Sequence, residues 1–523
     1  MFLFVIHHSL LFSTTPGTQI KTITMHRNGV VSSSAALSPK QQHPPRASSP
    51  SGFLHHHQHQ HPTFRFHYSH HHHQQLHRKA VSSSVTKTSN SSPLPSEHVV
   101  VPAGVEFPGS YLATGKFGRG LFSNGSSQDV PLTSTPLNVC ACVPEDVMNS
   151  GASNSKLSPS QRDRMRSFYT EWTHGLGIET VPENLVKFAT ECPMPKDMRI
   201  AVIVAWLTKN SEEWKTYKRE TLPKTYDSLY LANEEELQEL QDVSVMNMAK
   251  GSAKMYEAQM EQLLKEPLFN AEGVKDMIDV EDLHWARSVA HTRAMSGKLS
   301  VDGEGAFSCA FVVPGADLTN HRTVPNSNYG VSADGLRYEL KWKSKNSAEE
   351  EKEGLPPPPE EEREPKEGLE MFICYGARHP NALLALHYGF VDDTNPNDRI
   401  PMECVMPGMR KAPFKVVNKA VIALKEKGDD RAAWAGSQLL AVSKRSPEGV
   451  ANEIADKENV DPEIVEQMKK ATVAALSQFP TTLEEDENIA FDAIESSRMQ
   501  VAISYRIAQK RHLHAYQRFL DTL

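Results

Sequence analysis

The reactive inventory of the chain starts with six cysteines and 24 histidines. Cys140-x-Cys142 is the one close thiol pair, and no second Cys or His pair stands at zinc spacing from it. Cys192, Cys309, Cys374 and Cys404 are widely separated, so all six are expected to be buried structural thiols. The runs His55–His57 and His70–His73 carry ligating side chains without a fixed geometry and read as low-complexity spacer. No G-x-S-x-G elbow, Walker loop or H-E-x-x-H is present, and no metal is expected. What remains is Gly118-Arg119-Gly120, Arg293, Asp317-Leu-Thr-Asn320-His321, Tyr375, Asn381 and Tyr388-Gly389-Phe390. Taken singly each is weak. A G-x-G is more often a tight strand connection, Asn-His a satisfied turn, and a tyrosine a core aromatic.

The elements that must position these residues fall into three zones. From Val101 to Val143, alternating apolar residues around glycine turns predict short strands. From about Ser158 to Ala286 the pattern is helical: one helix opens after Pro195, another is capped by Asn233, and Leu283 to Met295 forms a third. Strand character returns at Phe307–Pro314 and Phe372–Tyr375, followed by a short helix, Asn381–Tyr388, that stops at Gly389. Between them, Ser347–Gly368 holds two Glu triplets and Pro356–Pro359; four prolines exclude a central strand, and like charges favour a solvated loop. Beyond Pro401 the chain is helical, with Met499, Ala502, Ile503 and Ile507 as an apolar stripe and Lys510-Arg511-His512 expected on a wetter surface.

Composition sets the outer bounds. The 523 residues include 39% hydrophobic and 23% charged positions, enough for two or three domains with real cores. No apolar run reaches membrane-spanning length, so no membrane association is expected. Six thiols in a chain this long exclude a disulfide scaffold. The formal charge of −8 argues against a nucleic-acid partner. That average hides a division: the first 96 residues contain no Asp or Glu, eight Lys/Arg and 15 of the histidines. This Ser-, Pro-, Gln- and His-rich tail, residues 1–100, cannot offset its ordering entropy and is expected to be disordered. Its acid-free, Ser-rich, basic composition resembles a transit peptide, which favours the plastid over the cytoplasm or nucleus.

Joined together, the segments left over from the first inventory resemble the SET-domain protein methyltransferases, in the branch typified by the plant Rubisco large-subunit lysine methyltransferase. Further stretches carry the same resemblance: Trp214-Lys-Thr-Tyr217 with Thr221-Leu-Pro-Lys-Thr-Tyr226-Asp227, Thr292-Arg293, Phe479–Glu487, and Arg506–Arg511. It covers roughly Val101 to the end. The resemblance implies an α+β fold in which a β-rich SET core contains a pseudoknot near Asn320-His321 and Tyr375. It also implies a SET domain over 101–395, with a helical insert at about 155–280 and a disordered acidic loop at 345–369, then an all-α substrate-binding domain over 396–523. The implied activity is methyl transfer from S-adenosylmethionine to a lysine side chain of a protein substrate, by a monomer. In that reading Gly118, Arg119, Gly120, Arg293, Asp317, Asn320, His321 and Tyr375 bind cofactor, and Tyr375 with Tyr388 is catalytic. Arg293 would meet the methionyl carboxylate, to which a guanidinium fork is suited. The Tyr375 phenol would orient the target amine while still protonated.

Three positions depart from the family pattern: Arg322 follows Asn-His where Ser is frequent, Pro380 replaces a usual Ser, and Leu383 replaces a common acidic residue. Tyr375-Gly-Ala-Arg378 also resembles a sister branch that methylates a histidine of a cytoskeletal protein. That branch lacks a tyrosine at the position of Tyr388, which favours lysine. A SET fold that only grips a partner, without catalysis, is the third reading.

Overall fold

The computed structural model describes residues 99–115, 118–145, 157–343, 364–409, 411–443 and 458–523. The histidine-rich tail up to residue 98 and the acidic Pro-rich stretch 344–363 lie outside the described residues. The fold is α+β, with small sheets near the amino-terminal end and in the middle of the described chain and helices elsewhere.

Strands β1 (Ser110–Gly115) and β2 (Gly118–Ser123) form an antiparallel hairpin in which Gly115 faces Gly118. Gly118 has φ +88°, a conformation that costs an L side chain energy and glycine almost none. β3 (Thr133–Pro136) and β4 (Ala141–Pro144) follow and go to different sheets. Among the described residues seven α-helices then intervene: α1 (Pro159–Gly175), α2 (Glu183–Glu191), α3 (Lys196–Asn210), α4 (Glu212–Glu220), α5 (Glu234–Gln238), α6 (Val243–Lys265) and α7 (Val280–Arg293). Their starts are written in the sequence. Ser158 with Gln161, and Asn233 with Glu236, form reciprocal capping boxes, and Pro195 immediately precedes α3. Every residue of α3 from Met198 to Thr208 is buried, so it is the central helix of the insert and packs on α7. The insert is tied to β4 and the residues just before it by aromatic donors. Trp214 Nε1 donates to Val139 O at 3.0 Å, Trp172 Nε1 to Cys140 O at 3.1 Å, and the Tyr169 hydroxyl to Cys142 O at 2.6 Å.

α7 ends at Arg293, two residues earlier than its pattern suggests, because Met295 opens the next strand. β5 (Met295–Val301) and β6 (Gly305–Val312) join β4 in the order β4-β6-β5. β7 (Asn320–His321), β8 (Ser327–Val331), β9 (Arg337–Trp342) and β10 (Phe372–Ile373) complete the sheets; β3-β9-β8 is one, and β7 with β10 another. The two segments expected to thread together do pair, in parallel, with Phe372 opposite Asn320 and Ile373 opposite His321. Residues 368–371 run beside β2, where Met371 N donates to Leu121 O at 2.7 Å and Ser123 N to Leu369 O at 2.8 Å. Helix α8 (Asn381–Tyr388) then ends at Gly389, φ +75°, a left-handed C-cap.

The remaining helices are α9 (Met402–Val405), α10 (Phe414–Glu426), α11 (Asp430–Ser443), α12 (Pro462–Leu476), α13 (Leu483–Glu487) and α14 (Ser497–Leu520). They build a second apolar core, from Ile400 to Leu520, separate from the one around the strands and insert. α14 serves both: Ala502 and Tyr505 lie in the first core, Leu513 to Leu520 in the second. Here the expectation of a wet Lys510-Arg511-His512 face is corrected, since Lys510 and His512 are 1% and 2% exposed. Lys510 Nζ bonds the fully buried Asp486 at 2.5 Å, and Arg506 Nη2 bonds the same carboxylate at 3.0 Å. A buried carboxylate recruits buried cations, an arrangement that apolar periodicity cannot reveal. Among the described residues no helix is long and apolar enough to cross a membrane.

Candidate active site

The site is assembled where β7, β10, the β1/β2 hairpin and the ends of α7 and α8 converge. Asn320 is held on one side by two acceptors: its Nδ2 donates to Glu370 Oε1 at 2.8 Å and to Arg119 O at 3.3 Å. A Cβ at Gly120 would stand 2.7 Å from both Asn320 Nδ2 and Glu370 Oε1, so a side chain there has no room. This gives Gly120 a reason to be glycine that is independent of backbone angle. Glu370 is fixed from behind, because Asn326 Nδ2 donates to its carbonyl at 2.9 Å. Burial pushes the Glu370 carboxyl up to about 6, against the opposing pull of Asn320 and Arg322.

His321 accepts a 2.9 Å hydrogen bond at Nδ1 from Tyr375 N. That bond fixes the tautomer: Nε2 carries the proton, and it is buried without a protein partner. Burial, reinforced by nearby His379, brings the His321 imidazole down to about 4, so the ring is neutral at pH 7. Its ring centroid lies 5.1 Å from that of Tyr375 and 5.7 Å from that of Phe390.

Tyr375 donates its phenolic proton to Thr319 O at 2.8 Å. Burial pushes this phenol up to about 12, with Arg293 opposing and Asp317 adding to the shift. It is therefore a neutral hydrogen-bonding group rather than a base. Tyr388 packs 5.0 Å from it, centroid to centroid, and points its hydroxyl at Tyr375 O from 3.5 Å. Burial raises the Tyr388 phenol as well.

Arg293, at the end of α7, donates through Nη1 to Asp317 O at 2.5 Å. Its Nε is buried and has no partner, and Nη1 lies 3.9 Å from the Asp317 carboxylate. Asp317 Oδ1 accepts from the Tyr217 hydroxyl at 2.5 Å and from Gly315 N at 3.1 Å. Burial raises the Asp317 carboxyl, while Arg293 and Tyr217 hold it back. The carboxylate thus sits on the protein side of Arg293, pinned by the helical insert.

A cavity of about 50 Å³ is lined together by Arg293, Asp317, Thr319, Tyr329, Tyr375 and Tyr388. Of the residues singled out from sequence, these Arg, Asp and Tyr side chains share the cavity, and His321 and Asn320 flank it through β7 and β10. The other expected positions lie apart from it: Gly118 faces open space, and the Arg119 guanidinium turns to Thr221 O. Sequence reasoning assigned no site role to Tyr329, Thr319 or Glu370, and it named Tyr217 only as part of a stretch of resemblance. Glu370 looked like one more acid behind the acidic loop, and Tyr329 had only its place eight residues after His321 to mark it. Five of the six thiols, Cys140, Cys142, Cys192, Cys309 and Cys404, are buried as expected, whereas Cys374 is half-buried and lines the cavity. Among the described residues no group of three His, Cys, Asp or Glu side chains could hold a metal ion.

Comparison with known proteins speaks to both parts of the molecule. The family described as Rubisco LSMT substrate-binding matches residues 426–513, the second core. The chloroplastic Rubisco large-subunit N-methyltransferase of Nicotiana tabacum is 23% identical over 344 residues, 58% of this chain and 63% of that one. The chain is thus similar to the Rubisco LSMT-like methyltransferases. The chloroplastic fructose-bisphosphate aldolase-lysine N-methyltransferase of Arabidopsis thaliana is 26% identical over 329 residues, 58% of this chain and 64% of that one. The matches thus span less than two thirds of these two plant relatives of the LSMT-like branch. The actin-histidine N-methyltransferase of Canis lupus familiaris matches a shorter stretch, 26% over 195 residues, 36% of this chain and 29% of that one.

Proposed function

We propose that this chain transfers a methyl group from S-adenosylmethionine to a lysine side chain of a protein. The observation that carries the reading is the single cavity shared by Arg293 and the two phenols of Tyr375 and Tyr388. The residues suit the cofactor: Arg293 has an unpartnered buried N–H for its carboxylate, and His321 has a buried, unpartnered Nε2–H beside the hairpin. When bound, the cofactor supplies an electrophilic methyl on a sulfonium, whose C–S bond breaks with its electron pair going to sulfur.

The protein's own part is positioning and desolvation. Thr319 O receives the Tyr375 proton, so the lone pairs of the phenol oxygen remain free to accept from an incoming amine and orient it. A channel walled by Tyr375, Tyr388 and Tyr329 excludes water and lowers the pKa of an entering lysine, favouring the neutral nucleophile. Arg293 would hold the other end of the donor. Gly120, Asp317 and Asn320 would complete that end, Asp317 by steadying Arg293 from behind, whereas Gly118 and Arg119 stand away from it. The helical block matching the substrate-binding family would present the target polypeptide. Chloroplast location in the two plant relatives supports action in the plastid.

The similarity to an actin-histidine enzyme keeps imidazole as the second acceptor to test. The test is incubation of the purified chain with labelled S-adenosylmethionine and plant stromal extract, followed by mass spectrometry of labelled peptides. Methyl-lysine supports the proposal and methyl-histidine replaces it. No labelled protein, with no cofactor affinity by calorimetry, would leave only a binding module.

A further inference from the structure

Two helices bring the two ends of the candidate cavity together. α7 delivers Arg293 and α8 delivers Tyr388. Among the described residues one side-chain hydrogen bond joins these helices, His291 Nε2 to His387 Nδ1 at 2.9 Å. Each histidine stands beside a functional position, His291 two residues before Arg293 and His387 one before Tyr388. The His291 ring also stacks on Tyr388, 6.5 Å between centroids at 22°, while Tyr230 meets its other surroundings edge-on at 5.3 Å.

The direction of the hydrogen bond follows from the neighbours. Arg287 Nη1 lies 3.4 Å from His291 Nδ1, and a guanidinium can only donate. His291 Nδ1 therefore accepts, its Nε2 carries the proton, and His387 Nδ1 accepts in turn. Arg287 is itself anchored, to Asp197 at 2.7 Å and to Gln259 at 3.1 Å. Burial, with Arg287 and His379 close by, brings His387 down to about 4, and burial with His387 and Arg287 brings His291 well below its usual range. Both rings are neutral at pH 7. The rest of α8 is held at its far end, where Asn381 binds Asp398 through N at 2.7 Å and Nδ2 at 2.6 Å. Near Tyr388 the helix is held by the His291–His387 pair, by the Ser228 hydroxyl, which donates to His387 O at 2.7 Å, and by the Tyr388 hydroxyl, 3.5 Å from Tyr375 O.

We infer that the His291–His387 hydrogen bond is a positioning device that sets the register of Tyr388 against Arg293, and so the alignment of acceptor and methyl donor. This rests on the methyl-transfer reading above. Displacement of reacting groups by about 1 Å can cost up to about 100-fold in rate. Loss of the bond should therefore act on kcat while leaving cofactor affinity, which depends on Arg293 and its own bonds, nearly unchanged.

Amide substitutions test this without emptying the space. A glutamine nitrogen can stand where an imidazole Nε2 stood, and an asparagine oxygen where an Nδ1 stood. His291→Gln and His387→Asn keep the bond, whereas His291→Asn and His387→Gln move the amide out of reach. The first pair should retain kcat within about threefold; the second should lose about tenfold, with cofactor affinity by calorimetry within twofold. In 15N-histidine-labelled protein the His291 Nε2–H correlation should be protected from exchange, and His387→Gln should abolish that protection. Equal kcat in all four variants, or a loss in His387→Asn matching that in His387→Gln, overturns the inference. A parallel loss of cofactor affinity also overturns it. Unmodified protein that methylates nothing would instead fail the functional reading, and this inference with it.

Discussion

The hydroxyl of Tyr375 reaches back 56 residues to donate to the carbonyl of Thr319, at 2.8 Å, while its backbone N–H is taken by His321. The ring is thus fixed at both ends by the strand it pairs with. Removing only the hydroxyl should leave the ring stack on His321 and Tyr388 in place. Tyr375→Phe should lower kcat by at least about 10-fold and keep S-adenosylmethionine affinity within about twofold, measured by single-turnover kinetics and calorimetry. Unchanged turnover would remove Tyr375 from the chemistry.

Gly120 has no space for a methyl group between Asn320 and Glu370. Gly120→Ala must push the Asn320 amide off one of its two acceptors and disturb the hairpin that frames the donor end. Cofactor affinity should fall by about 10-fold or more, with a stability loss of about 1–3 kcal/mol. Titration calorimetry and a urea melt read the two effects separately, and an unaltered affinity would place the donor elsewhere.

Glu370 gives a pH signature. Its folded carboxyl is raised to about 6 from an ordinary value of 4.5, so the folded protein binds the proton more tightly than the unfolded chain. Stability from this group is greatest below pH 4.5 and declines as pH rises through 6. Glu370→Gln keeps an oxygen for Asn320 and removes the buried charge. The variant should gain about 1–2 kcal/mol over the parent at pH 8 and almost nothing at pH 4.5, in paired urea titrations.

Asp486 should behave in the opposite sense. Burial pushes its carboxyl up, but Lys510, Arg506 and Thr481 outweigh this and hold it below the usual range. Its stabilising contribution is complete above the unfolded value of 3.8 and is lost as pH falls through the folded value. Asp486→Asn leaves buried Lys510 without a carboxylate, while Arg506 keeps Glu239, and should cost about 3 kcal/mol in equilibrium unfolding at pH 7. A loss below about 1 kcal/mol would mean that water reaches Lys510.

Much of this was legible before any coordinates. Helix starts came through because capping is local: Ser158, Asn233 and Pro195 act on residues within one turn. The stop at Gly389 followed from its left-handed backbone. The Tyr375, Arg293 and Asn320-His321 positions came from resemblance, since nothing local announces a residue whose partner lies far along the chain. The same blindness explains the misplacement of Lys510. Its stripe reads as the polar face of an exposed helix, and only the buried Asp486, 24 residues earlier, turns it inward. Glu370 was hidden by its acidic surroundings, because burial of one carboxylate among many leaves no mark on composition.

The two-residue parallel pairing of 320–321 with 372–373 has a consequence for biogenesis. Donor-side hairpin, guanidinium and phenols come from positions as far apart as Gly120 and Tyr388, so the cavity is complete only when the chain through α8 is present. Closing such wide loops is slow compared with forming the local helices. During synthesis the insert can fold early around α3, while the cavity must wait until α8 has left the ribosome. Appearance of ligand binding in a refolding experiment should therefore lag behind the recovery of helical signal, and it would serve as the clock for the final step of maturation.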